Sequence, residues 1–303
     1  MLYCLMRINK NLIRNKINNY IRQKKPKIYR PSSKPFISGD TFRSYADHIF
    51  DESQTLKPSK VKKDDIVFLK TDLKKIYFEN YHPEIKNPYY LISHNSDDSV
   101  NKTDINFIDS KIQHWFAMKL NTQANDRVSP LPAGLENARY RNNGKVRNFK
   151  KIIDSNEYLL SNKTNKILCS FNPNTNYQIR QPLLDISKKH PDIDIAHFDN
   201  RFEYLENLST YKFNLCPEGN NFESHRIWES LLFGCTPIVL NNIVNQNFFN
   251  LGVPLLMLNS WDELKSYTCL DLEKLNKINF NKNYDQFVRF DYWEKYIKSK
   301  SKH

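Results

Sequence analysis

The sequence contains 303 residues, of which 39% are hydrophobic and 26% charged, and this composition excludes a disordered or collagen-like chain. Residues 1–39 carry ten Lys and Arg and no acid, whereas the other 264 residues hold 36 basic and 33 acidic side chains. The formal net charge of +13 therefore arises mainly in an N-terminal tail. Because the folded body has no comparable excess, we expect no specific nucleic-acid partner. No apolar run approaches the roughly 18 residues of a membrane-spanning helix.

Residues 1–35 are predicted to form a basic amphipathic segment followed by a linker. Apolar residues recur at three- and four-residue steps between Leu5 and Ile21, Lys and Arg fall between them, and several prolines follow. This pattern suits contact of residues 1–30 with an anionic membrane surface. It suits slightly better a helix that packs on the protein's own body, and both interpretations stay open.

The five cysteines are widely spaced and include no CxxC pair, so the sequence predicts neither a disulfide framework nor a zinc site. Reduced, buried thiols fit a reducing compartment. No cleavable signal peptide is recognised at the start of the sequence. We therefore expect a cytoplasmic location, with peripheral contact to the cytoplasmic membrane face if the amphipathic segment binds lipid.

From Phe36 onward, short apolar runs alternate with amphipathic stretches, which predicts α/β structure with parallel sheets covered by helices on both faces. The predicted helices lie near 40–50, 72–82, 178–190, 202–209, 224–233 and 260–267. The predicted strands are Ile66–Lys70, Tyr89–Ser93, Lys166–Phe171, Ile193–Phe198, Lys212–Cys216, Pro237–Leu240 and Pro254–Leu258.

The most informative segment is 212–240, in which a strand ends at Cys216, a glycine-containing loop follows and a helix begins near Ser224. The helix N-terminus offers free N–H groups and the positive end of its dipole, and Arg226 lies beside it. This combination predicts an anion site suited to a diphosphate. Glu229 shares a face with Arg226, so it can accept hydrogen bonds from ribose hydroxyls or hold the arginine. A capped helix with a surface ion pair explains the same spacing.

The same segment resembles the C-terminal signature of exostosin-like glycosyltransferases. In that signature a strand ends in Cys-x-Pro-x-Gly, and a polar loop leads to a Ser/His-Arg-x-x-Glu-Ala helix and then to Gly-Cys-x-Pro. This sequence has Ser230 where the family usually has Ala, and Arg180 follows an upstream strand and loop as in the family. The matching residues are Phe213, Cys216, Pro217, Gly219, Ser224, Arg226, Glu229, Gly234, Cys235 and Pro237.

The resemblance covers residues 166–240 and implies the GT-B fold, in which two Rossmann-like α/β domains face each other across a cleft. In such a fold the C-terminal domain binds a nucleotide-sugar and the acceptor enters from the N-terminal domain. The terminal helices are expected to pack back on the N-terminal domain. The expected division is a basic segment and linker at 1–35, an acceptor-side domain at 36–150, a nucleotide-sugar-binding domain at 151–275 and terminal helices at 276–303.

The function that the resemblance implies is transfer of a hexose or pentose from a nucleotide-sugar to a glycan or glycolipid acceptor, in polysaccharide or lipopolysaccharide assembly. No cofactor and no metal are expected, because the protein itself supplies the positive charge that neutralises the diphosphate. Two alternatives remain at this stage. One is a non-catalytic glycan- or polyanion-binding protein on the same fold, and the less favoured one is a nucleic-acid-binding protein that uses the basic tail.

The expected donor-binding residues lie on the loops and helices that follow the strands of the second block. Arg180, Arg226 and the helix start at Ser224 are the candidates for neutralising the diphosphate. Lys212 is a weaker candidate, because a surface lysine on a strand explains it as well. The full set is Arg180, Lys212, Pro217, Glu218, Gly219, Asn220, Ser224, His225, Arg226 and Glu229.

Three residues of the first block are candidates for taking the proton of the acceptor hydroxyl: Asp40, His94 and Asp97. Asp40 precedes an amphipathic helix, where a helix N-cap is the alternative interpretation. His94 and Asp97 follow a predicted strand at its carboxyl end, where burial can tune a pKa for proton transfer. Ordinary polar capping of a turn is the alternative for both.

Two further features are weaker. Glu136 and Asn137 are minor candidates for lining the same cleft. Asp192 and Asp194 have the spacing of a DxD motif. They lie at the amino end of a predicted strand, however, and therefore away from the expected crevice. We therefore expect no metal site there.

Overall fold

The structure is a computed structural model that describes residues 30–140, 143–155, 163–275 and 284–301. Residues 1–29, which contain the predicted amphipathic helix and most of the segment predicted at 1–35, lie outside these ranges. Within them, no helix combines the length and the apolar character needed to cross a bilayer.

The first half of the described chain forms a sheet of parallel strands and a separate two-stranded pair. The strands are β1 (His48–Phe50), β2 (Ile66–Lys70), β3 (Tyr89–His94), β4 (Val100–Asn101), β5 (Ile112–Met118), β6 (Leu120–Asn121) and β7 (Val128–Leu131). The sheet order is β1-β2-β3-β5-β7, and β4 pairs with β6. Consecutive strand residues enter different cores, as Val67 and Phe68 do, so both faces of the sheet are covered.

The second half forms another five-stranded parallel sheet. Its strands are β8 (Thr164–Cys169), β9 (Ile193–Ile195), β10 (Tyr211–Leu215), β11 (Thr236–Leu240) and β12 (Leu256–Leu258). The spatial order is β12-β11-β10-β8-β9, so the chain moves outward from β8 to β9 and then crosses to the other side with β10. This reversal creates a topological switch point between β8 and β10, which is where open α/β sheets bind ligands.

Helices cover the sheets, and several begin at side-chain caps. Asn200 and Asn242, for example, each accept a hydrogen bond from a backbone N–H of the first helical turn. The helices are α1 (Gly39–Tyr45), α2 (Lys74–Asn80), α3 (Val146–Ser155), α4 (Tyr177–Ser187), α5 (Arg201–Leu208), α6 (His225–Leu232), α7 (Ile243–Asn250), α8 (Cys269–Leu275) and α9 (Phe290–Lys300).

One hydrophobic cluster is shared by the two sheets. It contains Phe116 of β5, Leu168 of β8 and Trp228 of α6, whereas separate clusters cover the outer face of each sheet. Helix α9 contacts both halves within this shared cluster. Its Phe290 packs against Phe42 of α1 in the first half, and its Trp293 packs against Trp228 of α6 in the second half. The two halves are therefore held together by apolar burial as well as by polar contacts.

The sequence patterns missed parts of the first sheet. The pattern near 40–50 predicts one helix, but α1 ends at Tyr45 and His48–Phe50 pairs with β2. The strand β5 was not predicted either. Pro130 argues against a strand, yet β7 tolerates it at the edge of the sheet.

Two patterns in the second half also differ. The expected domain boundary at residue 150 falls inside α3, whose Phe149 and Ile152 enter the shared core. The helical pattern near 260–267 forms a short 3-10 helix, Trp261–Ser266, with a capping box made by Ser260. In the first case tertiary contacts cross the expected boundary, and in the second a local capping box marks where the short helix begins.

Gly134 follows β7 and is pressed against the segment that precedes α1. Its φ is +68°, and a Cβ atom at this position would lie 2.7 Å from the carbonyl oxygen of Ile37. Leu135 donates a backbone hydrogen bond to the same oxygen. The close approach and the left-handed backbone both require glycine.

We predict that Gly134→Ala destabilises the protein by more than Gly252→Ala. Gly252 also has a positive φ of +83°, but nothing lies within 4 Å of its added Cβ, so this control carries only the backbone strain of about 1 kcal/mol. The Gly134 variant adds the clash with Ile37, and we expect a total loss of about 2–4 kcal/mol. Urea unfolding of the two variants measures the difference. Equal losses would show that the contact with Ile37 relaxes freely.

Candidate active site in the cleft between the sheets

A cavity of about 1140 Å³ lies between the two sheets. Its walls are the segments that follow the carboxyl ends of strands in both sheets, which parallel strands bring to one edge. Two Rossmann-like sheets that face a common cleft are the GT-B arrangement, so the predicted fold class is confirmed. The residues that line the cavity include Arg30, Gly39, Glu52, Lys70, His94, Asn95, Asp97, Lys119, Glu136, Asn137, Arg139, Arg201, Gly219, Asn220, Glu223, Ser224, His225, Arg226 and Glu229.

Arg226 spans the switch point of the second sheet. Its Nε donates a hydrogen bond of 3.0 Å to the carbonyl oxygen of Ser170, which directly follows β8. Ser224 is the N-cap of α6, but in the described structure its side chain makes no cap hydrogen bond, and its buried Oγ has no partner there. The first turn of α6 and the guanidinium therefore face the cavity together, which is the geometry expected of an anion site.

Glu229 and Arg201 form an ion pair at the same wall of the cavity. The Glu229 side chain is fully buried, and Arg201 Nη2 donates to its Oε1. In the described residues neither Glu229 Oε2 nor Arg201 Nε has a hydrogen-bond partner. Burial lowers the pKa of Arg201, which stacks on the ring of Tyr204 and also feels the charge of Arg226. Sequence reasoning missed Arg201, although its place at a helix start after β9 is a signal that could have identified it.

Arg180 lies behind the loop that follows β10. Its Nε donates to the Glu218 carbonyl at 2.8 Å and its Nη1 donates to the Asn172 carbonyl at 2.9 Å. Burial and the charge of Arg226 lower the pKa of Arg180 to about 10. Arg180 is not among the residues that line the cavity, so the structure places it as a support of the loop rather than in contact with a ligand.

The other predicted donor-binding residues divide between the cavity and its surroundings. Gly219 and Asn220 line the cavity. Pro217 and Glu218 lie behind the lining, where the Glu218 carboxylate accepts a hydrogen bond from Asn242 and burial raises its pKa. Lys212 lies near the amino end of β10 and pairs with Glu273 of α8. The structure thus places Lys212 outside the cleft, contrary to its predicted contact with the donor.

His94 is fully enclosed, and both of its ring nitrogens are occupied. Its Nε2 donates to the Pro132 carbonyl at 2.9 Å, and its Nδ1 accepts from the backbone N–H of Asn95 at 2.7 Å. Burial lowers its pKa to about 3. The imidazole is therefore neutral with a fixed tautomer, and no ring nitrogen is left to take a proton from an acceptor.

Asp97 lies at the rim of the cavity and pairs with Lys119 at 3.0 Å. The hydrogen bond from Lys119 lowers the pKa of Asp97, and its side chain is 70% exposed. A carboxylate in this setting is a weak base near neutral pH. Its backbone carbonyl accepts a hydrogen bond from Asn221, so the residue also contacts the loop of the second half.

Asp40 is fully buried behind the cavity wall. Asn95 donates to its Oδ1 at 3.0 Å, and Asn137 donates to Asn95 while accepting from the Asp40 backbone N–H. Burial raises the pKa of Asp40, and the charges of Arg139 and Arg30, at 3.5 and 3.8 Å, oppose that shift. The structure thus brings Asp40 and Asn137 into one network that supports the lining around Asn95.

Three consecutive residues after β7 hold titratable side chains of the cleft. The Pro132 carbonyl accepts from His94, the Ala133 N–H donates to Glu223 Oε1 at 2.7 Å, and the Gly134 carbonyl accepts from His225 Nδ1 at 2.7 Å. Because Glu223 and His225 come from the second half, these bonds also join the two sheets. Glu136 Oε2 lies 3.8 Å from His225 Nε2.

Glu223 is the second residue that sequence reasoning missed. Its Oε1 also accepts a hydrogen bond from Trp228 Nε1 at 2.6 Å, whereas its buried Oε2 has no partner in the described residues. Burial raises the pKa of Glu223 to about 7. Its position in the loop between β10 and α6 gave no separate signal, because the contact with Ala133 arises only in the folded chain.

Asp192 and Asp194 do not line the cavity. Asp192 accepts from the backbone N–H of Cys269, and Asp194 accepts from the hydroxyl of Tyr211. Within the described ranges, no group of three or more His, Cys, Asp or Glu side chains is suited to holding a metal ion.

Comparison with known proteins identifies part of the chain. Residues 103–251, just under half of the sequence, match the family model of the Exostosin GT47 domain, which confirms the predicted resemblance over that segment. This match supports a glycosyltransferase. No curated protein matches the sequence.

The solved structures similar to this chain include two synthases from Burkholderia species. An alpha,alpha-trehalose 6-phosphate synthase from Burkholderia multivorans is 7% identical, with 80% of this chain and 71% of that chain covered and a TM-score of 0.41. A UDP-forming alpha,alpha-trehalose-phosphate synthase from Burkholderia vietnamiensis is 9% identical, with coverage of 81% and 75% and a TM-score of 0.43. Because the TM-scores are this low, the fold assignment rests on the two sheets themselves.

We predict that Glu223 by itself makes a contribution to stability that falls between pH 4.5 and pH 7, because its side chain must lose its proton in a buried site. A group whose pKa is raised on folding binds its proton more tightly in the folded state, so stability decreases as the pH rises toward the folded pKa. For a shift from 4.5 to about 7, the loss is about 3 kcal/mol.

In Glu223→Gln this contribution to the pH dependence should disappear, since Gln keeps the acceptor oxygen and carries no titratable proton. Urea unfolding of both proteins across this pH range measures the difference, with Glu206→Gln at an exposed position as the control. Parallel pH profiles for wild type and Glu223→Gln would contradict the prediction.

Proposed function

We propose that the protein transfers a hexose or pentose from a nucleotide-diphosphate sugar to a glycan or glycolipid acceptor, in the assembly of a surface polysaccharide or lipopolysaccharide. The observation that carries this proposal is the placement of Arg201 and Arg226 beside the α6 N-terminus, at the switch point of the second sheet. The cavity they face exceeds the roughly 300–1,000 Å³ of ordinary small-molecule sites. Its size therefore suits a donor and an acceptor together.

In the proposed reaction the second half binds the donor. Arg226 is oriented by Ser170 and would donate to the diphosphate, whose negative charge grows as the bond to the sugar breaks. The α6 N-terminus and Arg201 would add to the same stabilisation. Glu229 holds Arg201, and its unpartnered Oε2 is suited to accept a hydrogen bond from a ribose hydroxyl. Because these groups supply positive charge, the proposed reaction uses neither a metal nor a cofactor.

The first half would receive the acceptor. Its wall offers Lys119, Glu136 and Arg139 to the hydroxyls of a glycan. Asp40 and Asp97, which the sequence predicts as candidate proton acceptors on this side, are poorly placed for that role, because Asp40 lies behind the wall and Asp97 is bound to Lys119. Positioning of both substrates in one cleft would supply much of the rate acceleration.

The proposed location is the cytoplasm, with the basic segment at residues 1–30 contacting an anionic membrane surface. The charge excess of this segment supports the proposal, because basic residues attract a polypeptide to anionic lipid. A membrane surface would also be the natural place for a glycolipid acceptor. We propose no nucleic-acid partner, since the charge of the folded body is nearly balanced.

We predict that Arg226→Ala abolishes nucleotide-sugar binding while the protein stays folded. The experiment is a thermal-shift screen against UDP, GDP, ADP, CMP and their sugar conjugates. A ligand at one hundred times its dissociation constant adds about 2.7 kcal/mol of stability, which raises the melting midpoint by several degrees. We expect such a rise in wild type with one nucleotide and its conjugate, and none in the variant.

Lys188→Ala is the matched control for this experiment, because it also removes one basic residue but at an exposed position of the α4 C-terminus. It should bind the nucleotide as wild type does. A folded Arg226→Ala protein with unchanged affinity would overturn the assignment of the donor site. Donor binding without transfer to any acceptor in a broad panel would favour the non-catalytic alternative.

A further inference from the structure

The loop that connects β10 to α6 places one carboxyl group at the junction of the two halves. Glu223 is only 5% exposed, yet it lines the cavity. It belongs to the second half and receives its backbone hydrogen bond from Ala133 of the first half. No other carboxylate that lines the cavity combines this burial with a hydrogen bond between the halves in the described structure.

The two oxygens of Glu223 have different surroundings. Oε1 accepts from the Ala133 N–H and from Trp228 Nε1, and these two donors fix the orientation of the carboxyl group. Oε2 is buried without a partner in the described residues. A buried carboxylate oxygen without a hydrogen bond costs free energy. A hydrogen-bond donor from outside the described chain would remove that cost. A substrate hydroxyl in the cavity is such a donor.

The other candidate bases are less well placed. His94 has both ring nitrogens occupied, and Asp97 is held as an anion by Lys119. His225 has an available Nε2, because its Nδ1–H donates to a carbonyl, but its side chain is 41% exposed and can bond to water instead. Asp40 Oδ2 and Glu229 Oε2 are also buried without a hydrogen-bond partner in the described residues, but Asp40 does not line the cavity and Glu229 is paired with Arg201. Glu223 lines the cavity, has such an oxygen and forms no ion pair within the described residues.

We propose that Glu223 is the catalytic base, with Oε2 taking the proton of the acceptor hydroxyl; this inference rests on the proposed function. As that proton moves to Oε2, the acceptor oxygen forms a bond to the anomeric carbon of the donor sugar. The bond from that carbon to the diphosphate oxygen breaks, and its electron pair leaves with the nucleoside diphosphate. Arg226, on the helix that follows Glu223, stabilises that leaving group.

The protonation state of Glu223 then controls the rate. Burial raises its pKa to about 7, and the nearby charge of Lys119 opposes this shift. Other titratable groups that line the cavity include His94, His225, Glu136, Arg226 and Glu229. Because a base must be unprotonated, transfer should increase about tenfold per pH unit below pH 7 and level off above it.

The test compares wild type, Glu223→Gln and Glu223→Asp for transfer between pH 5.5 and pH 9. The donor is the nucleotide-sugar that shifts the wild-type melting midpoint, and the acceptors are a panel of mono- and disaccharide glycosides. For Glu223→Gln we expect kcat to fall at least about 100-fold and the KM for the donor to stay within about threefold. The increase of kcat with pH below pH 7, which we call the acid limb, should vanish in this variant. Glu223→Asp should keep the acid limb at a reduced kcat.

Each outcome decides the inference. A Glu223→Gln enzyme with a kcat within threefold of wild type, or one that keeps the acid limb, would overturn the inference. Loss of the acid limb in the single variant His225→Asn, with the limb retained in Glu223→Gln, would overturn it as well. If Glu223→Gln fails to fold, Glu223→Asp provides the test, and an unchanged kcat in that variant contradicts the role. If wild type binds no nucleotide-sugar, the proposed function fails together with this inference. If wild type transfers sugar and the Glu223 variants transfer it equally well, only the inference is overturned.

Discussion

The cleft depends on the short stretch of backbone that follows β7, where the two halves of the protein meet. Ala133 and Gly134 belong to the first half, and their backbone groups bond to Glu223 and His225 of the second half. Gly134 can adopt its position only without a Cβ atom, because Ile37 lies directly against it. The same few bonds therefore join the two sheets beside the cavity and orient two titratable side chains that line it. A substitution that shifted this backbone would alter the architecture and the chemistry together.

The two walls of the cleft balance their charges differently, which supports the separate tasks proposed for them. In the second half, Arg226 bonds to the carbonyl of Ser170, so its positive charge is oriented without being neutralised. In the first half, Asp40 lies between Arg30 and Arg139, and the opposite charges compensate each other. Under the proposed function, a diphosphate would be attracted to the wall that carries Arg226, whereas an uncharged glycan would lose little free energy by lying against the compensated wall.

The sequence predicted the parts of the site that are local in the chain. Ser224, Arg226 and Glu229 follow one strand within a single turn-and-helix unit, so their spacing alone places them on one surface. Arg201 and Glu223 were missed because their roles depend on partners 28 and 90 residues away, respectively. The strand order could not be predicted either, because it depends on which strands pair after the chain has crossed over. The α/β class is a property of the alternating pattern, whereas the shared core and the cleft are properties of the folded chain.

The burial of Glu223 shows how the core serves the site. The Trp228 indole that orients the carboxyl group packs edge-on against Phe248 and Trp293 in the cluster that joins the two sheets. Because that cluster is closely packed, the indole and hence Glu223 Oε1 have little freedom to move toward water. The second oxygen is thereby kept away from solvent at a cost in stability, and that cost decreases once a hydroxyl donates to it. A group that destabilises the empty protein and is satisfied by substrate contributes to binding the reacting hydroxyl in the orientation that proton transfer needs.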